Sequence, residues 1–261
     1  ITDGMVRIAD AVAAAHADKM PAVAVTDLSN LSGVVKFYKA AREKGIKPII
    51  GADVWISNDA NREQASRLLL LCRNQEGYLA LCELLSRGYR ENQFRGRAEI
   101  RRDWLSEKPC AGLIALSGGE QGDIGLALLQ DNLDQAKKNA EHWAGVFPQR
   151  FYIELQRAGS SRQDDYIANV AQIASELNIP AVATHPIQFL RADDFRAHEA
   201  RVCVSQGHVL GDPRRRKEFT EQQYFKTQAE MAALFADYPE ALQNSVEIAK
   251  RCNLELTLNK V

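Results

Sequence analysis

The residues best suited to chemistry in this sequence are four side chains at or near the ends of apolar segments. Asp27 follows the apolar segment 22–25 after one threonine, Asp53 and Glu154 lie within two further segments, and His185 follows a fourth. Three carboxylates and one imidazole that converge could bind a hard or borderline divalent metal ion. A set of ligands with only one histidine is, however, a poor one for zinc. The alternative interpretation of Asp27 is that it only caps the following helix and has no chemical role.

Other patterns in the sequence point to structure more than to chemistry. No dinucleotide-binding glycine motif, phosphate-binding loop or serine nucleophile elbow occurs. Gly118-Gly119 could hold an anion, but a tight turn is the favoured interpretation. The basic run 214–217 could contact phosphate groups, and a solvated loop or an interdomain contact is favoured instead.

The elements that must position these residues alternate between apolar strands and helices. Uninterrupted apolar runs such as 22–25 are typical of strands buried on both faces of a parallel sheet, so we expect an α/β barrel or an open α/β sheet. Ser29, Asn30 and Ser32 are expected to cap the helix that follows Asp27. Strands are predicted at 22–25, 47–57, 66–72, 112–117, 151–155 and 180–184, and helices at 6–17, 34–44, 75–89, 99–105, 121–130, 133–146, 163–177, 194–206, 228–235 and 239–252.

Composition narrows the class of protein. A chain of 261 residues accommodates one large α/β domain or two small ones, and a net charge of −1 gives no sign of a chain that binds nucleic acid as a whole. No apolar run is long enough to span a membrane, and no signal peptide is recognisable. The five cysteines form no Cys-x-x-Cys pair, which favours buried free thiols in the cytoplasm. Because the sequence begins with Ile1, we treat it as a fragment.

Two segments carry a specific family resemblance. Residues 24–33 (AVTDLSNLSG) and 45–53 (GIKPIIGAD) resemble segments near the amino terminus of bacterial DNA polymerase III alpha subunits, in their polymerase and histidinol phosphatase (PHP) domain. Further matches occur in order at 74–78, 116–119, 151–156, 182–184, 197–199 and 247–252. The resemblance implies a distorted, seven-stranded, TIM-like (β/α) barrel with helices at its carboxyl terminus. It covers residues 1–261, with a barrel core at 1–190 and a helical part at 191–261 that leads toward the polymerase palm.

The resemblance also implies where a metal site would lie. Active family members hold zinc or manganese at the carboxyl ends of the barrel strands, and their ligands begin with a His-x-His on a first strand that this sequence lacks. His185 matches no ligand position that can be assigned, and Glu154 matches a family acid to which no role is assigned. Both are expected near the rim. The remaining ligand positions fall on Asp3, Asp27, Leu28, Asp53, Arg67, Gly119, Pro186 and Gln188.

Most of these substitutions remove a metal ligand. Leu28, Gly119 and Pro186 carry no donor, Gln188 replaces an expected histidine, and Arg67 places a cation where a cation should bind. A cluster of metal ions needs many anionic and imidazole ligands to offset the repulsion between the ions. We therefore expect no cofactor and no catalytic residue, with Arg67 paired to Asp27 or Asp53 instead.

Three functions remain open at this point. The first is a non-catalytic scaffold of the replicative polymerase, which would stabilise the subunit and help dock the proofreading exonuclease subunit among the holoenzyme subunits. Polymerase chemistry with magnesium, and contact with DNA, would then belong to the parent chain. The second is a metal-dependent phosphoesterase or 3′–5′ exonuclease whose site the missing strand completes. The third is a separate α/β-barrel metabolic enzyme.

Overall fold

The computed structural model describes residues 4–107, 110–212, 214–215 and 217–258. Strands and helices alternate along most of this part of the chain, as the apolar runs predict. The strands are β1 Ala22–Val25, β2 Lys47–Ile56, β3 Ser66–Cys72, β4 Gln93–Phe94, β5 Arg97–Ile100, β6 Leu113–Leu116, β7 Phe151–Gln156 and β8 Ala181–Thr184. The helices are α1 Ile8–Ala17, α2 Val34–Glu43, α3 Gln75–Glu91, α4 Arg102–Glu107, α5 Asp123–Leu129, α6 Leu133–Val146, α7 Gln163–Glu176, α8 Phe195–Gln206, α9 Gln228–Leu234 and α10 Pro239–Arg251.

All eight of these strands belong to one sheet. The hydrogen-bonded order is β4-β5-β2-β3-β6-β7-β8, and β1 pairs with the first half of β2. The path ends at β4 and β8, and β1 is a further edge strand beside β2. Both β1 and β8 line a cavity of about 840 Å³. The predicted α/β class is confirmed. In the described residues the sheet curves around this cavity as a barrel does, without hydrogen bonds between β1 and β8.

The direction of β3 differs from the prediction. It runs antiparallel to both neighbours, with Trp55 opposite Arg67 and Leu70 opposite Ala115. A run of buried leucines satisfies either direction, because burial on both faces carries no information about strand polarity. The reversal has a structural consequence: Arg67, near the start of β3, lies at the end of the sheet where its neighbours finish.

The burial of β1 also differs from the prediction. Ala24 is exposed and the other residues of the strand are only partly buried. β1 pairs with β2 along one edge, and its residues line the cavity. The strand is therefore not buried by protein on all sides. The expected helix caps are absent too, since Asn30 accepts from the Ser32 amide in a local turn and Gly33 precedes α2.

The helix predicted at 99–105 begins later than expected: α4 starts at Arg102, and Glu99 and Ile100 belong to β5, the second strand of a short hairpin. Strands β4 and β5 pair around Arg95 and Gly96, whose φ angles of 48° and 78° give a two-residue turn of the kind that suits a right-handed twist. Alternation along Arg97–Ile100 is the sequence signal that was available for β5. The remaining predicted elements lie within a few residues of the observed ones.

The cysteines and the helices agree with the composition. All five cysteines are free thiols, and four of them are buried. Within the described ranges, no helix has the length and apolar character that crossing a membrane requires.

Helix α10 covers the end of the barrel that is opposite the carboxyl ends of the strands. Ile248 and Cys252 pack with Ile49 and Leu71 in one apolar cluster, and the Asn244 amide donates to the Ala181 carbonyl at 2.7 Å. Phe235 and Ala241 belong to the main core together with the strands. The division of the chain at residue 190 stays a prediction about the longer protein.

One lysine joins the start of β2 to the end of α10. Lys47 Nζ donates to the Ala249 carbonyl at 2.7 Å and to Asn253 Oδ1 at 2.8 Å. A cation at a helix carboxyl terminus satisfies carbonyl groups that have no partner within the helix, and it interacts favourably with the helix dipole.

We predict that Lys47→Met destabilises the chain by about 1 kcal/mol, because the methionine keeps the apolar stem and removes only the two hydrogen bonds and the charge. Thermal melts followed by circular dichroism measure the change. Lys36→Met on the exposed face of α2 is the matched control. Equal melting temperatures for the two variants would contradict this role of Lys47.

Candidate functional site

The four side chains singled out in the sequence converge in the structure. Asp27, Asp53, Glu154 and His185 all line the 840 Å³ cavity, at the end where β1, β2, β7 and β8 finish. This confirms the prediction that they share one rim. Parallel strands explain the convergence, because their carboxyl ends meet at the same edge of a sheet. Asp27 is exposed in the open mouth of the cavity.

An ion pair occupies the centre of this rim. Arg67 Nη1 donates to Asp53 Oδ2 at 2.5 Å. The two residues lie on neighbouring strands, where Asp53 is opposite Leu69 and Arg67 is opposite Trp55, so both side chains are on the same face of the sheet. The antiparallel direction of β3 is what brings the arginine here. The expected pairing of Arg67 is thus confirmed, with Asp53 as its partner.

A tryptophan fixes the arginine from the other side. The Arg67 guanidinium lies 4.2 Å from the centre of the Trp55 ring, and only 15% of the arginine side chain is exposed. A guanidinium that stacks on an aromatic face and pairs with a carboxylate has little freedom to move aside. The cation is therefore a fixed part of the rim.

The electrostatics of Asp53 reflect this position. Burial raises the pKa of Asp53 from 3.8 to about 7, although the cavity mouth leaves 31% of the side chain exposed; Arg67 opposes the rise and Glu154 adds to it. The folded chain then binds this proton more tightly than the unfolded chain. The contribution of Asp53 to stability is therefore greatest below about pH 4 and is lost as the pH rises through about 7.

The Glu154 side chain is hydrogen-bonded to residues in and next to the strands around it. Its carboxylate accepts the Gly118 amide at 2.6 Å, the Thr184 hydroxyl at 2.8 Å and the Gln156 amide at 3.3 Å. It is buried, and burial raises its pKa while these donors lower it. Glu154 thus joins β6, β7 and β8 at the rim, a role that its strand position alone did not reveal.

Two of the presumed ligand positions contribute only backbone to the rim. Gly119 has a φ of 60°, and a Cβ there would lie 2.4 Å from Gln156 Oε1, so the position favours glycine. Leu28 forms a backbone bridge to Asp53. Neither residue directs a donor atom toward the ion pair.

The loop after β8 is held by backbone hydrogen bonds. His185 Nε2 pairs with the Gln222 carbonyl at 2.8 Å, and the Gln188 amide donates to the Gln223 carbonyl at 2.8 Å. Burial lowers the pKa of His185 to about 4, so its imidazole is neutral at neutral pH. Pro186 accepts from the Gln223 side chain. Asp3 lies outside the described residues.

The donor set at this rim does not fit the metal cluster that active family members hold. Across the described ranges, no group of three His, Cys, Asp or Glu side chains is placed to hold a metal ion. Asp53 is paired with a cation, and Glu154 already accepts three hydrogen bonds. The arrangement fixes strand ends to one another.

One arginine of the basic run 214–217 forms a buried ion pair that the sequence does not predict. Arg215 and Glu199 of α8 pair at 2.5 Å, and each side chain is only 5% exposed. The neighbouring Arg214 is exposed and pairs with Asp212. Nothing in a run of consecutive basic residues distinguishes the buried member, because the contact comes from the distant helix.

Comparison with known proteins agrees with this geometry. The sequence profile of the PHP domain matches residues 1–158. This chain belongs to the PHP domain family. It is 48% identical over 260 residues to the DNA polymerase III subunit alpha of Pseudomonas aeruginosa and 41% identical over 258 residues to that of Escherichia coli K12. These alignments cover 100% and 99% of the chain but only 22% of each relative's length.

A solved structure supports the PHP fold. An amidohydrolase from Chromobacterium violaceum, with bound sulfate and no metal, superposes with a TM-score of 0.50 at 14% sequence identity. The match covers 76% of this chain and 93% of that one. At this identity the similarity concerns the fold alone.

We predict that Arg67→Met lowers the free energy of unfolding by about 1–3 kcal/mol at about pH 8, because the charged form of Asp53 loses its partner and the carboxyl group must either take up a proton or stay charged without one. The loss should shrink at about pH 5, where Asp53, with a pKa of about 7, is protonated with or without the arginine. Methionine retains the packing on Trp55.

Urea unfolding at the two pH values measures this difference. Arg196→Met, on the exposed face of α8, serves as the control and should change stability by no more than about 0.5 kcal/mol at either pH. An equal loss for Arg67→Met at both pH values would show that the ion pair contributes nothing.

Proposed function

We infer that this chain is a catalytically inactive scaffold within the alpha subunit of a bacterial replicative DNA polymerase. The observation that carries the proposal is the Arg67–Asp53 ion pair, at 2.5 Å, in the centre of the rim where active PHP domains bind metal. A fixed guanidinium repels a divalent cation and uses the carboxylate that would bind it. The rim therefore contributes to the integrity of the barrel.

The names of the relatives support the assembly that we propose around this scaffold. Their shared name, DNA polymerase III subunit alpha, supports template-directed DNA synthesis as the activity of the parent chain, with magnesium and DNA bound there. Within the polymerase III holoenzyme we assign the PHP domain a part in stabilising the subunit and docking the proofreading exonuclease subunit. Membership of a replicative assembly supports a cytoplasmic location for the protein.

One observation favours a second candidate function. Asp27, Asp53, Glu154 and His185 do share one cavity, and Asp53 Oδ1 is buried without a hydrogen-bond partner. A further strand with two histidines could complete a metal-dependent phosphoesterase or 3′–5′ exonuclease site. The fixed Arg67 weighs against this candidate, and metal content separates the two.

We expect no stoichiometric metal in the chain after incubation with zinc or manganese followed by dialysis, as measured by elemental analysis. Arg67→His should give the same result, because Leu28, Pro186 and Gln188 still supply no ligand at their positions. Stoichiometric metal together with hydrolysis of a model phosphodiester would favour the phosphoesterase. The same measurements on a chain extended by the family's His-x-His strand test the completed site.

We also expect no primer extension by residues 1–261 alone. A polymerase needs clustered carboxylates for two metal ions and a basic channel for the duplex, whereas this chain has a net charge of −1. Extension of a labelled primer on a template, with the full-length subunit as the positive control, checks this. Extension by the purified chain would contradict the assignment of synthesis to the rest of the parent.

A further inference from the structure

A row of arginines and aromatic rings extends from the rim across β2, β5 and the β4–β5 hairpin. We call it the arginine–aromatic stripe; it consists of Trp55, Arg62, Arg67, Phe94, Arg95 and Arg97. Arg67 and Arg97 lie 4.2 and 5.1 Å from the centre of the Trp55 ring. Arg62, Arg95 and Arg97 lie 5.1, 5.5 and 5.6 Å from the centre of the Phe94 ring.

Sheet geometry places the stripe next to the candidate site. Trp55 is directly opposite Arg67 on β3 and Glu99 on β5, so the three side chains share one face. Arg97 is two residues from Glu99 and Asp53 is two residues from Trp55, which puts both on that face as well. The stripe is thus a continuation of the cavity-lining face beyond the barrel.

The stripe holds more positive than negative charge. Four guanidinium groups surround two rings, and three carboxylates pair with them. Buried Glu99 is shared by Arg62 and Arg97, at 2.8 and 3.0 Å, while Arg95 pairs with Glu63. At least one positive charge is therefore unmatched, in a chain whose overall net charge is −1. Like charges held this close together favour an anionic ligand.

The accessible part of the stripe is at its outer end. The Arg95 side chain is 73% exposed at the hairpin turn, and those of Arg62 and Arg97 are 34% and 26% exposed. Trp55 and Phe94 are half-buried, so both residues are partly accessible beside these arginines. The surface combines forked donors, which match phosphate oxygens, with aromatic groups, on which bases stack.

From this combination we propose that the arginine–aromatic stripe binds single-stranded DNA, with guanidinium groups on the phosphates and bases against the rings. An acidic peptide would use the charges but not the rings, and the bases of a duplex are already stacked on one another. The proposal is independent of the scaffold assignment, because a chain without metal or polymerase activity can still hold a strand.

The test uses residues 1–261 and a fluorescein-labelled oligothymidylate of about 20 nucleotides, with binding followed by anisotropy at several salt concentrations. Arg95→Ala should weaken binding about fivefold and lower the slope of log affinity against log salt by about 0.7, the value for one phosphate contact in single strands. Glu63→Gln should strengthen binding, because it removes the carboxylate that competes for Arg95.

Arg191→Ala is the matched control, because this arginine is 77% exposed and pairs with Asp194 at 3.8 Å at the amino end of a different helical segment. It should leave the affinity unchanged. Tryptophan fluorescence gives a second measurement: Trp104 and Trp143 are buried, so quenching by the oligonucleotide should come from Trp55 and disappear in Trp55→Phe. Circular dichroism melts verify that each variant is folded.

Three outcomes would overturn the proposal. They are no binding of the oligonucleotide at low salt, an equal loss of affinity for Arg95→Ala and Arg191→Ala, and equally tight binding of a polyglutamate peptide. The last result would assign the stripe to an acidic protein partner. Metal content and primer extension are measured separately, so failure here does not bear on the scaffold assignment.

Discussion

A charge that is withdrawn from water needs a partner of opposite sign, and the rim of this PHP domain meets that requirement with an ion pair within the chain. The Arg67 guanidinium is a mostly buried cation beside the cavity, so it requires a carboxylate as its partner. Asp53 supplies it, and Trp55 covers the remaining face of the guanidinium. A divalent cation would have to displace this arginine before it could use Asp53, and the proposed scaffold role rests on this geometry.

The rest of the rim follows the same logic. Glu154 is buried, and every donor that it needs comes from the strand ends beside it. The loop after β8 satisfies its polar groups with backbone carbonyls of residues 222 and 223. The polar groups of the rim thus join strand ends, while α10 and Lys47 connect elements at the opposite end of the barrel. Chemistry could be lost from such a rim without loss of the fold.

Much of this arrangement can be predicted from the sequence. The apolar runs located most strands, and β3 begins and ends at the predicted residues, because a buried strand bounded by polar residues has a distinct pattern. Strand direction was not readable, since four leucines in succession fit either polarity. The hairpin at 93–100 was missed because its two strands are short. The sequence predicts that Arg67 pairs with one of two aspartates. It does not predict that Arg215 pairs with Glu199, because that contact depends on how two separate segments pack.

The most direct test of the ion-pair account is a ¹³C NMR titration of the Asp53 carboxyl group, with and without equimolar zinc. The account predicts a pKa of about 7 that zinc leaves unchanged, and a further rise in Arg67→Met, because burial raises this pKa and the guanidinium lowers it. A pKa that falls sharply when zinc is added, with no response to the loss of Arg67, would contradict the account and identify Asp53 as a metal ligand.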